Sequence, residues 1–296
     1  MHNIRFAQDY KDNDRVRKSL SDLAHSTFGI SFEEWYQKGY WKERLIPYSY
    51  LDGDRVIANV SVSIMDLIIN GEVSQAIQIG TVMTHPDYRN KGLSSRLLTK
   101  VLDDYEHRCE YIYLFANESV LDFYPKFGFR PVQEQLFSLE NISEYRSGPA
   151  ANKNVRKLDM QNEADRALMY QRSLERLPNS QRWGTANSEG ILMFYGLNVF
   201  SEEIYYLEEE NIIVIYKKEE DRIDLFDIIS AKEFEIQDIL TRIADKDVKK
   251  VVFHYTPDYK NTDLNHQAYD GGLFVRTRSS DISSFHNIKY PITSTT

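Results

Sequence analysis

A strand, a loop and a helix in the first half of the sequence carry residue types suited to binding a negatively charged ligand. Residues 77–102 read IQIGTVMTHPDYRNKGLSSRLLTKVL, and the turn before the helix contains Arg89, Lys91 and Gly92. The first N–H groups of a helix have no partner within it and carry the positive end of its dipole, worth about 0.3–1 kcal/mol toward an anion. The pattern predicts a phosphate-binding turn.

The strand of this stretch changes its alternation near Gly80. Ile77 and Ile79 share one face, whereas Val82 is out of phase with them. A β-bulge near Gly80 accounts for the change. Because a bulge separates a strand from its neighbour, we expect free N–H and C=O groups that an extended ligand can use.

A second short segment follows the apolar run YIYLFA at 111–116. Asn117 is placed to begin a helix that spans Glu118 to Lys126, and Gly128 is placed to end it. Pro125 removes one helical hydrogen bond, so the last turn is expected to be irregular.

The two segments VMTHPDYRNKGLSSRLL and YIYLFANESVLDFYPKFGF together resemble the GNAT superfamily of acyl-CoA-dependent N-acetyltransferases. The family's cofactor motif is Arg/Gln-x-x-Gly-x-Gly/Ala, and this sequence has RNKGLS at 89–94, with Ser94 in the last position. The family's second signature is Tyr-x-x-x-Gly-Phe, which matches 124–129.

The resemblance implies a mixed α/β (α+β) GNAT fold, in which helices flank a central, mostly antiparallel mixed sheet. It implies acetyl-CoA as acyl donor, with pantetheine on the backbone of Val82, Met83 and Thr84. The pyrophosphate would be held by Arg89, Asn90, Lys91, Gly92, Leu93 and Ser94, and Asn117 would also contact the cofactor.

Tyr124 matches the family's general acid. A phenol, with a pKa of about 10, can hydrogen-bond and protonate a departing thiolate, whose thiol has a pKa of about 8.5.

The general base is not evident. An alkylammonium with a pKa of about 10.4 must lose its proton before it can attack a thioester. Many members of the resembled family have a Glu on the bulged strand, where this sequence offers Gln78 and Thr81. The alternatives are a water chain or one of four carboxylates, namely those of Glu33, Glu34, Glu72 and the C-terminal Thr296. His85 and Cys109 are interpreted as structural residues.

The length predicts two domains, 1–145 and 146–296, because the polar stretch at 139–155 contains Gly148 and Pro149. The second half partly repeats the element order of the first without its Arg/Gly turn, which favours a degenerate second GNAT-like α/β domain, as in the tandem members of the superfamily. An unrelated α+β substrate domain is the alternative. We expect 134–139 to close the first sheet and 273–276 to close the second.

Two aromatic clusters allow either of two interpretations. Trp35, Tyr36, Tyr40 and Trp41 lie beside two glutamates, so they could line an amine pocket or pack a helix against the sheet. The segments 183–187 and 193–200 could shape an acceptor pocket or belong to the core.

Composition limits the ligands and the compartment. A net charge of -9 disfavours nucleic acid and tolerates a cationic amine. One cysteine excludes internal disulfides and Cys-rich metal sites, so no metal is expected. No apolar run suits a membrane span or signal peptide, which favours a cytoplasmic protein.

The sequence therefore predicts an N-acetyltransferase that moves an acetyl group from acetyl-CoA to a primary amine by direct attack, most simply on a small molecule. The alternative is a non-catalytic acyl-CoA-binding or interaction module, which the missing strand glutamate allows. The sequence does not indicate the oligomeric state.

Overall fold

A computed structural model describes residues 4–140, 142, 154–260, 262–279 and 281–296. The α-helices in these ranges are α1 (Asp14–Phe28), α2 (Glu33–Gln37), α3 (Leu93–Tyr105), α4 (Glu163–Glu175), α5 (Glu189–Asn198) and α6 (Ile236–Ile243). None of these described helices is both long enough and apolar enough to cross a bilayer.

The strands form two mixed sheets, as expected for the mixed α/β class. The first sheet contains β1 (Ile4–Gln8), β2 (Leu45–Asp52), β3 (Arg55–Ile69), β4 (Glu72–Thr84), β5 (Tyr111–Phe115), β6 (Arg130–Pro131), β9 (Trp183–Ala186) and β15 (Leu273–Thr277). The second contains β7 (Glu134–Glu140), β8 (Val155–Lys157), β10 (Ile204–Leu207), β11 (Ile212–Glu219), β12 (Arg222–Ile229), β13 (Lys250–Phe253) and β14 (Asn265–Tyr269).

The two halves of the chain exchange a strand. β7 pairs with β13 and β14 in the second sheet, and β15 lies between β5 and β6 in the first. Our assignment of 134–139 to the first sheet and of 273–276 to the second was therefore wrong. The cause is that the alternation of a strand shows which faces are buried but not which neighbour it pairs with. The proposed boundary between residues 145 and 146 lies outside the described residues.

Each sheet has one parallel strand pair whose two strands are connected by a helix. In the first sheet, β4 and β5 are parallel from Ala76 opposite Tyr111 to Ile79 opposite Leu114, and α3 connects them. The apolar stripe of α3 is buried against the sheet, at about 1.5–3 kcal/mol for each large side chain; its residues are Leu93, Leu97, Leu98, Val101, Leu102 and Tyr105. This packing fixes the start of α3 beside the end of β4.

The first aromatic cluster packs between the two halves of the chain, and two of its members, Trp35 and Tyr40, also line a small cavity. Trp35 is 3% exposed, Trp41 is 4% exposed, and the indole N–H of Trp35 donates to the carbonyl of Gly190 at 2.7 Å. In the second cluster, Trp183 and Met193 are buried in the same way, so both clusters contribute to the core.

Candidate active site

The predicted bulge in β4 is present. β3 and β4 pair at Ser61–Gly80 and again at Asn59–Met83, so two residues of β4 face one residue of β3. Thr81, inside the bulge, has a φ of 41°, which is unusual for a β-branched residue. Because pairing with β5 ends at Ile79, the edge of β4 beyond the bulge is open on that side.

A buried asparagine holds the bulge. The side-chain amide of Asn59, which is fully buried, donates to the carbonyl of Thr81 at 2.9 Å and to the hydroxyl of Ser61 at 3.0 Å. Its own oxygen accepts from the hydroxyl of Ser49 at 2.9 Å. These bonds satisfy a carbonyl that the bulge removes from the ladder, and they offset the strain at Thr81.

The turn before α3 has the form expected of an anion site. Gly92 has a φ of 70°, and no described side chain caps the first turn of the helix, which also contains no acidic residue. The hydroxyls of Ser94 and Thr84 are 2.7 Å apart, and the guanidinium of Arg89 donates to the carbonyl of Thr84 at 3.3 Å. The uncapped N–H groups therefore lie directly beside the end of β4.

A cleft of about 630 Å³ connects these features. Its walls come from the end of α1, the bulge of β4, the start of α3, the segment after β5 and the end of the sequence. The lining residues are Thr27, Phe28, Ile30, Ile79, Gly80, Thr81, Val82, Met83, Thr84, Arg89, Ser94, Phe115, Asn117, Ser119, Val120, Phe123, Tyr124 and Thr296.

Most residues proposed from the sequence lie together in this cleft. Val82, Met83, Thr84, Arg89, Ser94, Asn117 and Tyr124 line it. Asn90, Lys91, Gly92 and Leu93 form the adjacent turn without lining the cleft, and the side chain of Leu93 is buried in the core below α3. Lys91 donates to the carbonyl of Asp87 at 2.9 Å.

The segment that carries Tyr124 is not the α-helix we expected. It consists of two short 3₁₀ turns, Glu118–Val120 and Tyr124–Phe127, and Asn117 makes no capping bond through its side chain. Pro125 at the start of the second turn prevents a continuous helix. Gly128 does end the segment, with a φ of 80°.

Tyr124 is 5% exposed but lines the cleft. Burial raises the pKa of its phenol to about 12. The hydroxyl therefore stays protonated at neutral pH and is available as a hydrogen-bond donor. Complete proton transfer to a thiolate whose thiol has a pKa of about 8.5 is uphill, so hydrogen bonding is the role that this environment favours.

Of the carboxylates considered as general base, the structure brings only the last residue into the cleft. Glu33 forms an ion pair with the buried Arg17 at 3.0 Å, Glu34 lies on α2, and Glu72 begins β4 at the far end of the hairpin. Thr296 lies so close to Gly80 that a Cβ there would be 2.8 Å from its carbonyl group. None of the described residues that line the cleft has an acidic side chain or an imidazole.

His85 and Cys109 have structural surroundings, as interpreted from the sequence. The ring of His85 accepts from the backbone N–H of Asp87 at 3.3 Å and lies 2.6 Å from the guanidinium of Arg55. Cys109 is buried, and burial raises the pKa of its thiol. Over the part of the chain that the structure describes, no group of three or more His, Cys, Asp and Glu residues could hold a metal ion.

Sequence reasoning missed Asn59, Phe28 and Ile30 as contributors to the site. A signal for Asn59 exists, because Asn59, Ser61 and Ser63 interrupt an otherwise apolar strand at alternate positions. All three are buried. For Phe28 and Ile30, which follow the apolar stripe of α1, no local pattern indicates that they face a cleft.

The comparisons with known proteins agree with this geometry. Residues 13–132 match the family model of an acetyltransferase (GNAT) domain. A search of curated proteins finds none that matches this sequence.

Several solved structures share the fold over most of the chain. A conserved protein of unknown function from Enterococcus faecalis V583, described as a probable N-acyltransferase, has a TM-score of 0.61 at 16% identity, with 96% of this chain and 74% of that chain covered. A GCN5-related N-acetyltransferase from Kribbella flavida has a TM-score of 0.55 at 16% identity, with 93% and 72% covered. Eis1 from Mycobacterium abscessus has a TM-score of 0.54 at 14% identity, with 93% and 73% covered.

At these identities the structural likenesses concern the fold alone. The family match and the site geometry agree on the class: residues 13–132 match the GNAT acetyltransferase domain.

Proposed function

We propose that this protein transfers the acetyl group of acetyl-CoA to a primary amine. The observation that carries the proposal is that one cleft joins the open edge of β4, the uncapped start of α3 and the hydroxyl-bearing Tyr124. An acyl-CoA has an amide-rich arm, a pyrophosphate and a thioester. The open edge of β4 suits the arm, the start of α3 suits the pyrophosphate, and Tyr124 suits the thioester.

The walls of the cleft suit the donor. Beyond the bulge, Met83 and Thr84 pair with β3 on one side only, so backbone groups on the other side can bond the pantetheine arm. The N–H groups at the start of α3 and the guanidinium of Arg89 would hold the pyrophosphate. Asn117, which follows β5, also lines the cleft and would contact the cofactor there.

The reaction requires a neutral amine and a stabilised leaving group. The amine nitrogen forms a bond to the thioester carbonyl carbon, the carbon–sulfur bond breaks, and the nitrogen gives up a proton. Tyr124, which burial keeps protonated, donates a hydrogen bond to the sulfur as it becomes a thiolate. The bulge contributes by holding the thioester and the amine close together in the orientation that the reaction needs.

A water chain from the cleft to solvent is the proton acceptor that we propose. Thr296 lies against Gly80 beside the bulge, and none of the described residues that line the cleft has an acidic side chain that could take this role.

The acceptor is proposed to be a small-molecule amine with an apolar body. Phe28 and Ile30 form the wall contributed by α1, and no acidic side chain is among the described residues that line the cleft. Such walls favour the burial of apolar surface over the binding of several positive charges.

A direct experiment measures release of free CoA from acetyl-CoA in the presence of a panel of amines. We expect turnover with aromatic or aliphatic monoamines in preference to polycationic amines. The missing carboxylate side chain favours a second candidate, a non-catalytic acyl-CoA-binding module. Binding of acetyl-CoA without turnover across the whole panel would support that second function.

A further inference from the structure

Gln78 is buried beside the cleft at the position where β4 still pairs with β5. It is fully buried and lies opposite Tyr113 in β5 and Ser63 in β3. Burial of a primary amide is unfavourable unless its donors and acceptor are satisfied. Both ends of the Gln78 side chain bond the last three residues of the sequence.

The two hydrogen bonds have fixed and opposite directions. The Nε2 amide of Gln78 donates to the carbonyl of Ser294 at 3.2 Å, and its Oε1 accepts from the N–H of Thr296 at 3.1 Å. Glutamine provides one donor and one acceptor in this orientation. An ionised glutamate would place an acceptor against the carbonyl of Ser294 and would lose that bond.

The segment 288–296, here called the tail, reaches Gln78 from the second half of the chain. The hydroxyl of Ser294 lies 2.8 Å from that of Thr185 and 3.2 Å from that of Ser188, and Tyr290 donates to its carbonyl at 3.1 Å. These bonds fix the tail up to Ser294.

Beyond that residue, the backbone bond to Gln78 is the one hydrogen bond that holds Thr296 among the described residues. The hydroxyl of Thr296 is buried without a hydrogen-bond partner in the described part of the chain, beside the bulge.

We propose that Gln78 is a positioning residue that holds the end of the tail against the β4 bulge, where it forms the wall of the acceptor site. The inference rests on the proposed function, because it assigns Gln78 a part in amine binding. Gln78 acts through Thr296, whose backbone and buried, unpartnered hydroxyl form the part of this wall that lies against the bulge.

The first test measures amide hydrogen exchange in the tail and needs no activity. Gln78→Met removes both hydrogen bonds at similar volume, and Gln78→Glu removes the donor. Ser63→Ala is the matched control, since Ser63 is buried directly opposite Gln78 and its hydroxyl has no partner among the described residues. We expect faster exchange of the fragment ending at residue 296 in both Gln78 variants and unchanged exchange in the control. Unchanged exchange in Gln78→Met would overturn the proposal, whether or not the protein proves to be an acetyltransferase.

The second test changes the other partner, so that it does not depend on the folding of a core variant. Thr296→Pro removes the N–H that donates to Gln78, and the extended backbone of Thr295, at ψ 141°, suits a residue before proline. Thr296→Val removes the same hydroxyl but keeps the N–H. With any amine that is turned over, we expect Thr296→Pro to raise the KM for the amine about tenfold above that of Thr296→Val, with the KM for acetyl-CoA unchanged. Equal KM values for the amine in the two variants would contradict the role of Gln78.

Discussion

The two parallel strand pairs of this protein have the same construction, but only one of them opens onto a cleft. In the first sheet, pairing of β4 with β5 ends at Ile79–Leu114 and a bulge in β4 follows at once. In the second sheet, pairing of β12 with β13 ends at Leu225–Phe253, and a bulge in β12 follows there too. This shared geometry supports the proposal that the second half is a degenerate GNAT-like domain.

The opening in the second sheet is filled by the protein itself. The N–H of Ile292 in the tail donates to the carbonyl of His254, directly after β13, at 3.1 Å. The hydroxyl of Thr293 donates to the buried carboxylate of Asp227 at 2.6 Å, and Arg176 binds the same carboxylate through both Nη atoms. The tail thus occupies the place where an extended ligand would lie.

The helices that connect the strands of the two pairs, α3 and α6, differ in charge as well. α3 starts after a turn with Arg89 and Lys91 and has no acidic residue in its first turn. α6 is preceded by Glu235 and has Asp238 in its first turn. Because acidic groups at a helix N-terminus take the place of a bound anion, the second helix is unsuited to a pyrophosphate. The proposed function therefore predicts one acetyl-CoA site per chain.

The largest effect is expected when the contacts that fill the opening between β12 and β13 are removed. Asp227→Ala leaves the guanidinium of Arg176 without its buried partner, which typically costs about 3–5 kcal/mol in the free energy of unfolding. We expect this loss in urea unfolding, with no change in the affinity of the folded protein for acetyl-CoA.

A matched control is Asp245→Ala, which removes an exposed ion pair with Lys218 and should cost less than about 1 kcal/mol. Equal stability losses in Asp227→Ala and Asp245→Ala would show that Asp227 does not hold the tail in the opening between β12 and β13.

In the cleft beside β4 and β5, Tyr124→Phe removes the proposed hydrogen-bond donor to the leaving sulfur. We expect kcat to fall about 100-fold, the lower end of general-acid effects, with acetyl-CoA binding retained. In the wild-type protein, the rate should keep rising from about pH 7 to pH 10 as the amine loses its proton, because Tyr124, with a pKa of about 12, stays protonated throughout. The control is Tyr255→Phe, which changes a buried tyrosine just after β13. A wild-type-like kcat in Tyr124→Phe would remove this residue from the mechanism.

A smaller effect is expected from the bulge. Asn59→Ala leaves the carbonyl of Thr81 without its donor, and an unpaired buried group costs about 1–3 kcal/mol of stability. The loosened bulge should also weaken acetyl-CoA binding by about tenfold, measured by calorimetry. Ser63 lies further along β3 on the same face as Asn59. Ser63→Ala should change neither the stability nor the affinity for acetyl-CoA. Wild-type affinity in a folded Asn59→Ala protein would contradict the link between the bulge and the cleft.

The smallest effect concerns the turn before α3. Arg89→Ala should weaken acetyl-CoA binding about fivefold, near 1 kcal/mol, and should reduce the dependence of binding on salt. Lys91→Ala should have less effect, because Lys91 is bonded to the carbonyl of Asp87 and does not line the cleft. A larger loss of acetyl-CoA affinity in Lys91→Ala than in Arg89→Ala would place the pyrophosphate on the Lys91 side of the turn.

Local features of the fold were predictable from the sequence where one residue type determines the backbone. Asn13 caps α1, Gly29 ends it, the turn at Asn70 and Gly71 joins β3 to β4, and the phase change near Gly80 marks the bulge. Each of these depends on capping, on positive φ or on alternation over a few residues, which a sequence displays directly.

Long-range features were not predictable in this way. The exchange of β7 and β15 depends on pairing across more than a hundred residues. The sequences at 134–140 and 273–277 do not indicate which of the two sheets each strand joins. The meeting of Gln78 with Thr296 is of the same kind, since their partnership is set by the path of the tail. Alternation shows that such residues are buried, but only the assembled fold shows against what.

The central claim is that the β4–β5 pair opens onto a binding cleft, whereas the tail fills the opening at the β12–β13 pair. Its most direct test is the stoichiometry of acetyl-CoA binding to the intact protein, measured by titration calorimetry. The account predicts one site per chain, weakened by Asn59→Ala and unaffected in affinity by Asp227→Ala. Two sites per chain, or none, would contradict it.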